Sequence, residues 1–105
     1  MEEELLAGLE LQLGIRLVKE HSYEALRQRL AGWVAELTDR DFNELVRILY
    51  RVDINENKLK FLLKEKVGED AAYIIADLLI ERQLQKIATR KQFKQAPPEN
   101  DADLW

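Results

Sequence analysis

At 105 residues the chain is long enough for one hydrophobic core and too short for two. Apolar residues at 47% and charged residues at 34% exclude a disordered polyelectrolyte, and four glycines with two prolines are too few turn formers for a β-rich fold. The lack of cysteine excludes disulfides, iron–sulfur ligation and Cys-based zinc sites in this chain.

The acidic start Glu2-Glu3-Glu4 is the opposite of a secretory n-region, and no apolar run approaches the ~20 residues that span a bilayer. The expectation is a cytoplasmic protein with no membrane partner. The net charge of −4 is unevenly spread. Residues 82–94 carry Arg82, Lys86, Arg90, Lys91 and Lys94 with no acid, whereas residues 95–105 carry Glu99, Asp101 and Asp103 with no base.

The first element is ambiguous in period. Leu9, Leu11, Leu13, Ile15 and Leu17 alternate as in a strand, while Leu5, Leu9, Leu13 and Leu17 repeat at i, i+4. The scarcity of β-branched residues favours a helix over about 3–20. Its apolar arc is wide, leaving Leu11, Ile15 and Val18 more apolar surface than one core face buries.

Ser22 is a good N-cap for a second helix with the stripe Tyr23, Leu26, Leu30, Trp33, Val34 and Leu37. Thr38, with Asp41 at N3, reads as the cap of a third helix burying Phe42, Leu45, Val46, Leu49 and Val52. Asn55 can cap a fourth, with Ile54 and Leu59 at the positions of a hydrophobic staple. Leu59, Leu62, Leu63 and Val67 continue it, and Gly68 suits its C-terminal stop. The fifth helix, about 69–94, is apolar on nearly every side from Ala71 to Ile80, with Asp77 its lone charge there. That marks the central element. Leu84, Ile87 and Ala88 give its second half only a narrow stripe. The reading is an all-α, irregular five-helix bundle over residues 1–94, with residues 95–105 a disordered acidic tail containing Pro97 and Pro98.

The strings LYRVDI and IERQLQK, within the stretch 42–93, resemble a group of short, uncharacterised bacterial cytoplasmic helical proteins with no assigned function. The resemblance covers about half the chain. It implies a helical fold and no activity.

Several constellations invite a chemical reading. Asp53, Asn55 and Asn57 match positions 1, 3 and 5 of a calcium loop, but Lys58 stands where the turn needs glycine and Lys64 where a bidentate glutamate closes the site. A capped helix start is the better account. Asp77 and Glu81 lie one helical turn apart, as do Arg47 and Arg51. Solvated surface charge is the ordinary reading of these four, and an ion-pair ladder between two packed helices is the sharper one. A di-metal bundle needs several histidines, and His21 is the only one. That histidine also leaves Ser22 and Thr38 without a nucleophile's base, and no glycine-rich phosphate loop occurs.

The basic run 82–94 complements a helix C-terminus and could also contact phosphates. The segment ending in Trp105 has the character of acidic recognition peptides, but a solubilising tail that can lie across the basic end of its own helix is the ordinary reading. No catalytic set, cofactor site or metal site emerges. The expected function is a non-enzymatic protein–protein interaction or assembly module, with a homodimer through Leu11, Ile15 and Val18 as one form. The alternative is a nucleic-acid-binding accessory protein using Arg82, Lys86, Arg90, Lys91 and Lys94.

Overall fold

The computed structural model describes residues 3–17, 22–65 and 70–95, with side chains through residue 92. Five helices form in chain order: α1 (Glu3–Leu13), α2 (Tyr23–Arg40), α3 (Phe42–Val52), α4 (Glu56–Glu65) and α5 (Ala71–Gln95). No strand occurs among the described residues, and none of these helices is long and apolar enough to cross a membrane.

The helix boundaries follow from local hydrogen-bond chemistry. The Ser22 hydroxyl accepts from the Ala25 N–H at 3.0 Å and opens α2. Asn55 does the same for Lys58 at 2.9 Å, and Asp70 for Ala72 at 2.8 Å. Two expected boundaries fall elsewhere. Thr38 is not a cap: α2 runs through it to Arg40, and its hydroxyl bonds back to the Val34 carbonyl at 2.7 Å. Asp41 caps α3 instead, accepting from the Glu44 N–H at 3.1 Å.

The first helix is shorter than its repeat suggested. It stops at Leu13 because Gly14 takes the left-handed conformation (φ +72°) and turns its N–H onto the Glu10 carbonyl at 2.8 Å. The chain then runs extended, held by the Leu17 N–H donating to Glu10 Oε2 at 2.6 Å, and Leu17 is buried from outside any helix. The arc drawn through Leu11, Ile15 and Val18 is therefore not a helical face. Leu11 is 83% exposed, Ile15 packs on the core, and Val18 lies outside the described residues.

Helices α2 and α5 form the central pair, with α1 and α4 also packed on α5 and α3 on α2 and α1. Leu26, Leu30, Ala76 and Leu79 meet between them with no exposed surface. Burying a leucine so completely contributes about 1.5–3 kcal/mol. The apolar run at the start of α5 is buried as its composition implies, through Ala72, Ile74, Ala76, Leu78, Leu79 and Ile80.

Some stripe positions turn outward. Tyr23, Phe42, Leu63 and Leu84 are exposed, while Ala31, Ile48 and Gln83 are buried. Helix α4 is peripheral: none of its residues is buried, and Phe61 is 60% exposed. Gly68, Val67 and the segment 96–105 lie outside the described residues.

Candidate functional site

The spacing of Arg82, Lys86 and Arg90 repeats one helical turn at a time, so the three cations form a stripe along α5. Helix α1 crosses beside that stripe. Between them lies a groove of about 440 Å³ lined by the three cations, Gln83 and Thr89 from α5, and by Gly8, Leu11 and Gln12 from α1. That volume is within the range of ordinary ligand sites.

The crossing is close because Gly8 has no side chain. A Cβ there would stand 2.1 Å from Gln83 Nε2. Gln83 is 96% buried as a result, and its side-chain oxygen accepts no hydrogen bond. Leu11 and Gly8 supply apolar surface on the α1 side, and the cations line the α5 side.

The cations are not equivalent. Arg82 reaches the α3–α4 corner, where its Nη2 pairs with Asp53 Oδ2 at 3.2 Å. Lys86 and Arg90 form no ion pair among the described residues. Burial, and then the neighbouring Arg82 charge, lower the Lys86 pKa from its ordinary value. Both effects disfavour the ammonium, and the attraction of an anion in the groove would offset them. Lys91 is exposed and does not line the groove, the Lys94 side chain and Trp105 are outside the described residues.

The ladder expected of Arg47, Arg51, Asp77 and Glu81 does not form. Asp77 does find a cation on another helix, but it is Arg27 of α2, at 2.8 Å. Arg27 also stacks over the Tyr73 ring at 4.5 Å, and the Tyr23 hydroxyl donates weakly to the same carboxylate at 3.4 Å. Glu81 pairs with Lys58 of α4. Arg47 stays on its own helix with Glu44, at 2.8 Å. Arg51 donates to the Gln12 carbonyl at 2.6 Å, supplying a cation to the C-terminal turn of α1, which has no basic residue of its own. The reason is packing: α5 lies against α2 at the level of Asp77, and α3 turns its arginines toward α1 and solvent.

A double-mutant cycle checks this arrangement. Asp77→Ala and Arg27→Ala are expected to couple in urea unfolding, whereas Asp77→Ala with Arg47→Ala or Arg51→Ala are additive. Burial, with the Asp77 charge second, also raises the Tyr23 pKa above its ordinary 10.0. The folded state thus holds that proton more tightly than the unfolded chain. Its contribution is complete below pH 10.0 and fades as pH climbs beyond it.

The corner after α3 uses its oxygens locally. Asp53 takes the left-handed conformation (φ 68°) and pairs with Arg82, while the Asn55 side-chain oxygen caps α4. No group of three His, Asp or Glu side chains among the described residues could hold a metal. An apolar notch between α3 and α4, lined by Val46, Leu49, Tyr50, Ile54 and Leu59, measures only about 90 Å³. Other clefts on the surface are of similar size, and the α1–α5 groove differs from them in holding two cations, Lys86 and Arg90, without an ion pair among the described residues. Composition pointed to its cations and to Leu11, but Gly8, Gln12 and Gln83 join them only through the helix crossing. A glycine in mid-helix was the one available signal.

Compared with family models, curated proteins and solved structures, the chain matches none.

Proposed function

We propose that the protein is a non-enzymatic interaction module whose α1–α5 groove receives an acidic segment of a partner protein. The observation that carries this reading is the placing of Lys86 and Arg90, neither ion-paired among the described residues, beside the 83% exposed Leu11. A groove with cations along one side and an exposed leucine along the other suits a peptide that alternates carboxylates with bulky apolar side chains. Self-association through Leu11, Ile15 and Val18 has less behind it, because Ile15 packs inward.

The second reading is nucleic-acid binding through Arg82, Lys86 and Arg90, which the cation stripe itself favours. Among the described residues the groove has no aromatic stacking platform, so the peptide reading ranks first.

Fluorescence anisotropy separates them, using a labelled ten-residue peptide alternating glutamate with leucine and a single-stranded oligonucleotide of similar length. Micromolar peptide binding is expected, weakened about tenfold by Lys86→Glu or Arg90→Glu. Leu11→Ser, which removes the exposed apolar contact, weakens it too. No peptide binding at 100 μM, on the order of the weakest useful affinity, overturns the proposal. Tight oligonucleotide binding with a log–log salt slope of about −0.7 per phosphate neutralised establishes the second reading instead.

A further inference from the structure

We infer that the groove is regulated by the chain itself: the acidic segment Glu99–Trp105 occupies it until a partner displaces that segment. This rests on the reading of the groove as a site for acidic peptides, and it adds the occupant.

Charge complementarity is the first argument. The five cations of 82–94 have no acid among them, and the three acids of 95–105 have no base. Two of those cations, Lys86 and Arg90, are held in the groove without an ion pair among the described residues.

Spacing is the second. Arg82, Lys86 and Arg90 recur every four residues on α5, which is a step of about 6 Å along a helix rising 1.5 Å per residue. Glu99, Asp101 and Asp103 recur every two residues, a step of about 6.6 Å in extended chain, where alternate side chains share one face. The two repeats are thus of nearly equal length, so an extended acidic segment could match the step between Lys86 and Arg90, the two cations without an ion pair among the described residues.

Reach is the third. Gln95 ends α5 about 20 Å beyond Arg82. Residues 96–105 can extend roughly 33 Å, enough to return along the stripe. Pro97 and Pro98 do not prolong a helix, so the sequence breaks the α5 direction where a reversal is needed. A tether this short holds its segment at about millimolar effective concentration, so even a weak contact keeps the groove largely filled.

The test uses the full chain in three forms, with the glutamate–leucine peptide as probe. One form is native. The second carries Glu99→Gln, Asp101→Asn and Asp103→Asn. The third carries Glu36→Gln, Asp39→Asn and Glu65→Gln, which changes net charge equally at exposed sites of α2 and α4. The second form is expected to bind the probe about tenfold more tightly than the other two. Its amide NMR signals at Leu11, Gln12 and Thr89 are expected to shift from their native positions. Equal probe affinity in all three forms overturns the self-occupancy and leaves the groove reading standing. Absence of probe binding in every form overturns the groove reading itself.

Discussion

Leu79→Ala is expected to remove about 3–5 kcal/mol of stability, the largest effect of any single truncation considered. Leu79 has no exposed surface and sits in α5 where that helix meets α2. Deleting its isobutyl group forfeits the transfer energy and leaves a cavity between two long helices that cannot close independently. A domain of this size holds about 5–15 kcal/mol in total, so the loss is a large share. Thermal unfolding by circular dichroism should show the midpoint falling by more than about 12 °C. Phe61→Ala on α4 removes more carbon atoms, yet Phe61 is 60% exposed and its loss is expected to cost under about 0.5 kcal/mol. A similar cost for both would mean that α4, and not the α2–α5 pair, anchors the fold.

Two glycine-to-alanine changes are expected to move stability in opposite directions. Gly14→Ala should cost about 1–2 kcal/mol, because the residue stands at φ +72° and any Cβ there meets its own backbone. Nothing else lies within 4 Å of that Cβ, so the cost is conformational and not steric crowding by neighbours. The same turn presents the Leu17 N–H to Glu10, which couples it to a buried leucine. Gly32→Ala should stabilise by about 0.5–1 kcal/mol, since Gly32 is exposed within α2 and a Cβ there also meets nothing. Urea unfolding of both variants checks the pair. Equal signs would show that the α1 terminus is not the tight left-handed turn described above.

The difference between those two glycines also explains what could be read from the sequence. Features set by residues within one turn of each other were legible: the Ser22 and Asn55 caps, the α2 stripe from Leu26 to Leu37, and the buried run at the start of α5. The end of α1 was not, because the leucine repeat continues through Leu17 although the helix does not. A hydrophobic period reports that side chains recur on the core side, and an extended segment can continue it by chance after a left-handed turn. Asp41 and Thr38 are both good cap residues, and only the packing of α2 decides that it runs on past Thr38.

Pairings between helices were the least legible. The sequence left Asp77 either solvated or paired with a cation of another helix, and Arg27 and Arg51 could be assigned to their partners only once the neighbours of α5 and α1 were known. The groove divides in the same way. Its cation stripe is a property of one helix, whereas its apolar side depends on where α1 crosses.

Helix α4 packs on α5, where Lys58 pairs with Glu81, and its Leu59 and Leu62 are only half-buried, with no side chain committed to the core. Unfolding it therefore exposes little apolar area, and the opening is nearly uncoupled from the global transition. Amide exchange in α4 is therefore expected to be faster than in α2 and α5. Substitutions on the outer face of α4 shift that opening and leave the midpoint of global unfolding almost unchanged.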